Sequence, residues 1–293
     1  MPSALIDVLL PCYNSSNTIS KSVESLLAQD FTDFRCIVLD NCSQDSTFKI
    51  VKNLVCDDPR FFLISNKKNL GVASSFYRLI HMAKAPFVIF LAADDYYHPQ
   101  CLSLLYQSLT SSPHAVAACP STLRFRDDGY RKLSDGTFPI EGMTALHRMS
   151  IYLSSLTDNS RFYGLYRNPA LQESNVLMNF FAADLVLTAL TLRFGSHLEI
   201  SSKNHQPLLF RELPLSMRKY VSRNSSVFYV VKLFLTPFLD GACELCRRIS
   251  LSAFCALLPK ITFLNLKLSW SLVRAYLASS AQLRKLYFVF SRA

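Results

Sequence analysis

Several features that mark other protein classes are missing from this sequence of 293 residues. No uninterrupted apolar run reaches the ~20 residues that a membrane-spanning helix needs, because the two most apolar stretches, 227–239 and 251–264, each contain a lysine and a proline. The first residues lack the basic segment and apolar core of a signal peptide. No internal repeat or low-complexity segment is present. We therefore expect a protein that is at most peripheral to a membrane.

The nine cysteines form neither a disulfide framework nor a zinc-binding pattern. Their number is odd and their spacing is scattered, which is typical of small core residues in a reducing compartment. Cys243 and Cys246 have CxxC spacing, but no second Cys/His pair with structural-zinc spacing accompanies them. We therefore expect a cytoplasmic protein in which these two residues are buried thiols on a helix.

Positively charged residues do not outnumber negatively charged residues in the first two thirds of the chain. Residues 1–208 hold 18 Lys/Arg and 18 Asp/Glu, whereas residues 209–293 hold 13 and 3, so the whole net charge of +10 lies in the second segment. This asymmetry predicts that the C-terminal segment is a separate functional unit. No known nucleic-acid-binding module accompanies it, so nucleic acid is not an expected partner.

The 50% hydrophobic and 18% charged composition excludes disorder.

Short apolar runs alternate with helical patterns in the first 115 residues. Four β-then-α units in series predict a parallel sheet covered by helices on both faces, and ligands of such sheets bind beyond the carboxyl ends of the strands. The predicted strands are 5–10, 36–39, 61–64 and 87–91, and the predicted helices are 18–28, 46–55, 72–83 and 99–109. Beyond residue 115 we predict strands at 115–119, 122–126 and 162–166, and helices at 143–153 and 185–193. From residue 227 onward the pattern is helical.

Polar residues cluster where the predicted strands end, so they converge on one cleft. A cap or a turn explains most of them individually. Asp94 and Asp95 are different, because two adjacent carboxylates after a wholly apolar strand repel each other and require a cation to neutralise them. The four motifs at the strand ends are Pro11-x-Tyr13-Asn14, Asp40-x-x-Ser43-x-Asp45-x-Thr47, Asn69-x-Gly71-x-Ala73 and Asp94-Asp95.

In this order and spacing the four motifs resemble those of family 2 glycosyltransferases of the GT-A fold. The resemblance covers residues 4–115 well and 116–215 loosely. It implies an α/β catalytic domain over 1–215, with a Rossmann-like, mostly parallel sheet flanked by helices, and a basic amphipathic helical extension over 216–293. It also implies an inverting enzyme that moves a sugar from a nucleotide-diphosphate donor to a glycan or lipid-linked acceptor, in the synthesis of a cell-envelope or surface polysaccharide or glycolipid.

The resemblance assigns the nucleotide pocket to the first two motifs. Pro11, Tyr13 and Asn14 would line it, near the base and the ribose. Asp40 and Asn41 match the acidic pair that accepts a hydrogen bond from a base N–H. The amide of Asn41 accepts through its oxygen but also donates, which leaves the preferred base open.

The third motif would shape the loop beside the ribose and diphosphate. Asn69 and Gly71 carry this role in the resemblance. Cys42, in the second motif, replaces a glycine that is common in the family. We expect a cysteine to be tolerated there because the loop would not need a positive φ.

The fourth motif matches the metal site of the family. Asp95 would be the direct ligand, and Asp94 would face the ribose or the metal. Carboxylates together with diphosphate oxygens suit Mg²⁺ or Mn²⁺. The cation would offset the charge that develops on the leaving diphosphate.

Inverting members of the family also need a general base, which commonly opens a helix downstream of the metal motif. Asp184 stands at that place, although an Asp just before an apolar helix is also an ordinary N-cap. Glu173 and Asp158 are the alternatives for the base. His205 and Arg211 lie near the loop that in relatives carries a basic residue to the diphosphate.

The C-terminal segment carries a cationic helical face. Lys267, Arg274, Lys285 and Arg292 return to nearly the same side of a helix at about 100° per residue. Such a helix either packs on the catalytic domain with a solvated basic edge or binds an anionic membrane surface at the inner face of the membrane.

Two other functions share parts of these patterns. A nucleotidyltransferase would use a similar nucleotide-binding layout, but it needs a Gly-rich phosphate loop after the first strand, which this sequence lacks. A non-catalytic nucleotide-sugar-binding or membrane-associated protein of the same fold is the alternative to an enzyme. The presence of Asp94, Asp95 and Asp184 argues against it.

Overall fold

The structure is a computed structural model that describes residues 4–126, 128–142, 144–155, 158–175, 183–212 and 239–279. The chain divides into two compact units, the first formed by Met1–Asn179 and Ala183–Glu212 and the second by Phe180–Ala182 and Leu213–Ala293. The domain boundary expected at 215/216 lies outside the described residues and stays a prediction.

Strands and helices alternate along the described part of the first unit. The strands are β1 Ile6–Cys12, β2 Phe34–Asp40, β3 Phe61–Ser65, β4 Phe87–Phe90, β5 Tyr96–Tyr97, β6 Ala115–Pro120, β7 Thr122–Phe125, β8 Arg131–Leu133, β9 Leu165–Arg167, β10 Ser196–Ile200 and β11 Leu209–Glu212. The helices are α1 Ile19–Leu27, α2 Thr47–Val55, α3 Val72–Met82, α4 Cys101–Thr110, α5 Ala145–Ser155, α6 Asn168–Ser174 and α7 Ala183–Thr191, with a 3-10 helix at Ser160–Tyr163.

Seven strands form a central sheet in the order β10-β6-β9-β4-β1-β2-β3. Every pairing in it is parallel except those of β9, which runs antiparallel to both β4 and β6. The expected α/β fold with a mostly parallel sheet is confirmed. The four βα units lie where the sequence predicted them, because β1 and β2 are buried along their whole length and α1 and α2 each bury one apolar face.

One predicted strand is displaced. Residues 162–166 were expected to be extended, but the 3-10 helix occupies Ser160–Tyr163 and β9 begins only at Leu165. The ring of Phe162 stacks on Phe90 of β4, with centroids 4.4 Å apart. The apolar run is thus buried as expected, but its first residues are buried as a helical turn rather than as a strand.

A second, four-stranded sheet has the order β5-β11-β7-β8. β5 follows Asp95 directly and pairs antiparallel with β11, in the register Tyr97 with Leu209 and Tyr96 with Phe210. This register brings Arg211, the next residue of β11, alongside Asp95. β5, β8, β10 and β11 are too short or too irregular in pattern for the sequence to have predicted them.

The core of the first unit contains one buried ion pair. Asp7 in β1 and Arg35 in β2 are both buried, and the guanidinium of Arg35 donates to both carboxylate oxygens of Asp7 at 2.7 Å. The backbone N–H groups of Lys84 and Ala85 also donate to Asp7. The polar residue that interrupts the first apolar strand is therefore fully satisfied inside the protein.

The described part of the second unit is helical, as the sequence predicted. It consists of α8, Leu239–Arg248, and α9, Leu251–Ser279. The expectation that Cys243 and Cys246 are buried is wrong, because both lie on the exposed side of their helix. Leu257, Ile261 and Leu264 form the buried side of α9. Among the helices that the structure describes, none combines the length and the apolar character needed to cross a membrane.

Candidate active site

The carboxyl ends of three neighbouring parallel strands meet at one edge of the central sheet. Cys12 at the end of β1 pairs with Asp40 at the end of β2, and Leu9 of β1 pairs with Phe90 at the end of β4. The loops that follow these strands therefore lie side by side, and the motifs predicted at the strand ends share one edge of the first unit.

The loops after β1 and β2 are joined by hydrogen bonds. The backbone N–H of Asn14 donates to Ser43 Oγ at 2.9 Å, and the N–H of Gln44 donates to Asn14 Oδ1 at 2.8 Å. Pro11 is buried, Tyr13 is half-buried and Asn14 is exposed. The phenol of Tyr13 is therefore the large side chain that this double loop presents near its surface.

Two carboxylates of the second motif stabilise the loop after β2. Asp40 is buried, and its Oδ2 accepts hydrogen bonds from the N–H of Ser43 and the hydroxyl of Ser65. Desolvation opposes ionisation of Asp45, but hydrogen bonds from Thr47 and Ser16 outweigh it and lower its pKa to about 2. Asp45 thus joins the start of α2 to the loop after β1.

Asn41 is turned toward the protein. Its Oδ1 accepts hydrogen bonds from Asn66 Nδ2 at 2.8 Å and from the N–H of Leu70 at 3.0 Å, and its Nδ2 donates to Asn69 Oδ1 at 2.7 Å. Both acceptor positions of this oxygen are filled by protein groups. Asn41 therefore fixes the loop before α3, which also contains Gly71 at φ 84° with open space around the Cβ position.

The expectation for Cys42 is wrong. Cys42 has φ 67°, in the left-handed region where a side chain is unfavourable, so the loop does require a positive φ at the position where relatives carry glycine. Its thiol is half-buried and contacts the carbonyl oxygen of Lys67 at 3.8 Å.

Asp95 is buried and both of its carboxylate oxygens have protein partners. Arg211 Nε donates to Oδ2 at 3.2 Å, and the N–H of Glu212 donates to Oδ1 at 3.1 Å. Burial raises the pKa of Asp95 to about 7, although the charge of Arg211 acts to lower it. The carboxylate expected to be the direct metal ligand is therefore engaged with β11.

Asp94, the residue before Asp95, is exposed. Desolvation by the surrounding protein raises its pKa, and Arg211 opposes this rise. Within the residues that the structure describes, no group of three or more His, Cys, Asp or Glu side chains is placed to hold a metal ion. Carboxylate oxygens are hard donors, so the two adjacent carboxylates nevertheless fit Mg²⁺ or Mn²⁺ when substrate phosphates and water complete the coordination.

Asp184 lies in the first turn of α7. Asn159 Nδ2 donates a hydrogen bond to its Oδ2 at 2.7 Å. Burial raises the pKa of Asp184, whereas the hydrogen bond from Asn159 lowers it. A carboxylate with a raised pKa is suited to accept a proton.

Tyr163 marks the point where these groups come together. Its pKa is raised by burial and also by three carboxylates that lie near it, namely Asp95, Asp94 and Asp184. The guanidinium of Arg211 lies over its ring, with Cζ 4.2 Å from the centroid. The metal motif and the candidate base, 89 residues apart in sequence from Asp95 to Asp184, therefore share one electrostatic environment.

The alternatives for the base differ from Asp184 in their surroundings. Asp158 forms an ion pair with Arg124 at 3.2 Å and accepts hydrogen bonds from Ser134. Glu173 is exposed on α6. His205 is exposed in the loop before β11. The structure thus brings Arg211 into contact with a carboxylate of the site, that of Asp95. It does not bring Glu173 or His205 there.

Sequence reasoning missed Asn159 and Ser160 as parts of this site. They lie directly before the segment 162–166 that was predicted as a strand, and none of the four motifs includes them. The basic face of the C-terminal helix lies outside the described side chains, since those of residues 267–293 are not described.

Solved structures with this fold bind nucleotide sugars. One is TarS from S. aureus in complex with UDP-GlcNAc, with a TM-score of 0.56, 18% identity and coverage of 88% of this chain and 79% of that chain. Another is the mannosyltransferase PcManGT from Pyrobaculum calidifontis in complex with GDP-Man and Mn²⁺, with a TM-score of 0.58, 12% identity and coverage of 99% and 80%. At these identities the likeness establishes the GT-A fold.

The family follows from the sequence comparison. The family model described as Glycosyl transferase family 2 matches residues 7–174, and this chain belongs to that family. A curated relative, the GalNAc(5)-diNAcBac-PP-undecaprenol beta-1,3-glucosyltransferase of Campylobacter jejuni, is 36% identical over 39% of this chain and 38% of the relative. The matched segments span between 13% and 46% of the length of such curated relatives.

Proposed function

We propose that this chain transfers a sugar from a nucleotide-diphosphate sugar to an acceptor hydroxyl, with inversion at the anomeric carbon. The observation that best supports this function is the hydrogen-bonded link between the metal motif and the candidate base: Arg211 donates to Asp95 and to Ser160, and Asn159, the residue before Ser160, donates to Asp184. Bound UDP-GlcNAc and GDP-Man in structures of the same fold support the donor class.

The donor nucleotide would bind on the double loop after β1 and β2. Pro11, Tyr13 and Asn14 line this pocket in the proposal. Of the two residues expected at the base, Asp40 is the better candidate, since Asn41 uses both acceptor positions of its oxygen within the protein. Asn41 would act indirectly, by fixing the loop of Asn69 and Gly71 near the diphosphate.

Asp94 and Asp95 would hold Mg²⁺ or Mn²⁺ together with the diphosphate. Asp94 is the exposed member of the pair, so its oxygens are accessible to a cation. The oxygens of Asp95 accept hydrogen bonds from Arg211 and Glu212, and Asp95 would therefore support the site electrostatically. When bound, the cation would offset the negative charge on the leaving diphosphate.

Asp184 would be the general base. It would accept the proton of the acceptor hydroxyl as the hydroxyl oxygen attacks the anomeric carbon and the bond to the diphosphate breaks. Arg211 is charged and lies among the carboxylates, so it would also balance the negative charge that the donor brings to the cleft.

A panel of nucleotide sugars tests the proposal. The protein is incubated with each donor and a set of acceptor glycans, with Mn²⁺, with Mg²⁺ or with EDTA, and products are identified by mass spectrometry and the anomeric configuration by NMR. We expect one donor to give a product of inverted configuration, only in the presence of a divalent cation. Donor binding without product under every condition would instead favour the non-catalytic alternative.

Two conservative variants assign the base. Asp184→Asn should lose transfer while it keeps donor binding, and Glu173→Gln should keep both. If Asp184→Asn instead keeps transfer and Glu173→Gln loses it, the base is Glu173.

The acceptor is proposed to be a glycan or a lipid-linked saccharide of a cell-envelope or surface polysaccharide or glycolipid. The C. jejuni relative carries an undecaprenol-linked acceptor in its name, and another relative is a diacylglycerol glycosyltransferase of Mycoplasma pneumoniae. Acceptors of this kind reside in a membrane, which supports a cytoplasmic protein at the inner face of the membrane.

The second unit would provide the membrane contact. It contains nearly all of the net charge of +10, which favours an anionic lipid surface. Four large apolar residues of α9 are exposed, namely Leu251 at 71%, Leu258 at 46%, Phe263 at 57% and Leu266 at 67%. Basic charge and exposed apolar side chains together are typical of helices that lie in a membrane interface.

Cosedimentation with vesicles tests this contact. We expect binding to vesicles with acidic lipid, weaker binding as salt rises, and loss of binding when Lys267, Arg274, Lys285 and Arg292 are replaced by Gln. Leu258→Ser should weaken binding, while Leu133→Ser, an equally exposed leucine of the first unit at 55%, should not. Equal binding to neutral and acidic vesicles would refute the electrostatic part, and no binding to either would make the helix a structural element.

A further inference from the structure

Asn159 is the side chain that holds the carboxylate of Asp184. Its Nδ2 donates to Asp184 Oδ2 at 2.7 Å, and its Oδ1 accepts a hydrogen bond from the hydroxyl of Tyr152 at 2.8 Å. Because an ionised carboxylate only accepts, Asp184 requires the NH₂ end of the Asn159 amide, and the Tyr152 hydroxyl donates to the oxygen at the other end. Because Tyr152 is a buried residue of α5 and Asp184 begins α7, the amide of Asn159 joins two helices at the candidate base.

The chain on both sides of Asn159 is anchored. Before it, Asp158 pairs with Arg124, and its two carboxylate oxygens share a bifurcated hydrogen bond from the hydroxyl of Ser134. After it, the hydroxyl of Ser160 accepts a hydrogen bond from Arg211 Nη1 at 3.3 Å. Asn159 is therefore held in a fixed position between the two anchors, and Asp158 serves as one of them rather than as a free carboxylate.

The charged or titratable groups of the described residues that interact with Asp184 include Arg211 of β11, Tyr152 of α5 and Tyr163 of the 3-10 helix. Burial raises the pKa of Asp184, while the hydrogen bond from Asn159 and the charge of Arg211 lower it. Arg211 has Asp95 as its own hydrogen-bond partner, so Asn159 is the side chain that donates a hydrogen bond to the Asp184 carboxylate, beside the backbone N–H of Leu185.

We propose that Asn159 is a positioning residue that orients Asp184 toward the acceptor hydroxyl and stabilises its ionised form without touching the substrate. The inference rests on the proposed function, because it takes Asp184 as the base. It assigns a role to a residue that lies outside all four motifs at the strand ends.

Substitution of Asn159 tests the inference through the pH profile of transfer. In Asn159→Ala, kcat should fall about tenfold or more, the change that loss of one hydrogen bond to a charged group can produce, while KM for the donor is unchanged. The acid limb of the kcat profile should move to higher pH, because the ionised carboxylate has lost its donor. Tyr152→Phe should move the limb in the same direction by less.

A second variant keeps the shape of the side chain. Asn159→Asp places a carboxylate where the amide donated, so the like charge should move the acid limb to higher pH by more than Asn159→Ala does. The matched control is Thr191→Val, which removes a buried hydrogen-bonding hydroxyl from the same helix α7 without altering the contacts of the Asp184 carboxylate. Its pH profile should equal that of the unmodified protein.

The outcomes separate this inference from the proposed function. If Asn159→Ala and Asn159→Asp lower thermal stability but leave the acid limb in place, Asn159 is structural and the inference is overturned. If Asp184→Asn retains full transfer, the assignment of the base is wrong, whatever the result for Asn159. A shift of the acid limb in both Asn159 variants, with none in Thr191→Val, supports the inference.

Discussion

Arg211 donates from Nε to Oδ2 of Asp95 across 3.2 Å, and this pair joins the last strand of the second sheet to the metal motif. The two residues are 116 positions apart in the sequence. Their pairing leaves Asp94 as the exposed carboxylate of the motif and places a permanent positive charge beside the expected diphosphate. The two adjacent aspartates are thus chemically distinct although the sequence gives them the same side chain.

The first prediction separates the two aspartates. Asp94→Ala should abolish Mn²⁺-dependent binding of nucleoside diphosphate, measured by calorimetry with UDP and with GDP, and should leave thermal stability unchanged because the side chain is exposed. Asp95→Ala should lower the free energy of unfolding by about 3 kcal/mol, since it leaves the guanidinium of Arg211 without its carboxylate partner. Equal stability of the two variants would contradict the distinction between an exposed Asp94 and an Asp95 that is paired with Arg211.

The second prediction concerns the activity of the base. Asp184→Asn keeps the shape of the side chain but removes the proton acceptor, so the transfer rate should fall by roughly 10² to 10⁴. Donor affinity should be kept, as measured by equilibrium binding. If the variant only loses stability and the remaining folded enzyme is fully active, Asp184 is a helix cap.

The third prediction uses the pKa of the same residue. Burial raises the pKa of Asp184 above its ordinary value of 3.8, so the folded state disfavours the ionised form. The resulting loss of stability is absent below the pKa that Asp184 has in the unfolded state. It develops as the pH rises through the pKa that Asp184 has in the folded state. Asp184→Asn should therefore be as stable as the unmodified protein in acid and more stable at neutral pH, measured by thermal denaturation across pH. A stability difference that is independent of pH would refute this account.

The fourth prediction concerns the buried ion pair in the core. Asp7→Ala should lower the free energy of unfolding by about 3 to 5 kcal/mol, because it leaves the buried Arg35 without its bidentate partner and frees two backbone N–H groups. Asp135→Ala, which breaks an exposed pair with Lys132, is the control and should change denaturant unfolding by no measurable amount. Similar losses in the two variants would show that burial of the first pair has no role.

The fifth prediction concerns the loop after β2. Cys42→Gly should raise the free energy of unfolding by about 0.5 to 1 kcal/mol, because glycine adopts the positive φ at this position without strain. Cys42→Ala retains a Cβ and should bring no such gain. Equal effects of the two substitutions, measured by urea unfolding, would mean that the thiol rather than the backbone conformation is responsible.

The sequence by itself determined the βα units and the placement of the carboxylates. Apolar runs of strand length and helical periodicity are local signals, and the strand ends that carry Asp40 and Asp94 follow directly from them. The motif order sufficed for the family resemblance. The antiparallel strand β9 was misjudged because a short apolar run such as 162–166 is compatible with either a strand or a helical turn, and packing on Phe90 decided between them.

Only the tertiary structure decided how the carboxylates differ. The pairing of Arg211 with Asp95 depends on the register of β11 on β5, and the contact of Asn159 with Asp184 depends on the 3-10 helix that lies between β4 and α7. Such contacts join residues far apart in the chain, and no local periodicity encodes them. Burial, and with it the pKa of each carboxyl, is a property of the assembled cleft, so the sequence could name the aspartates but not their charge states.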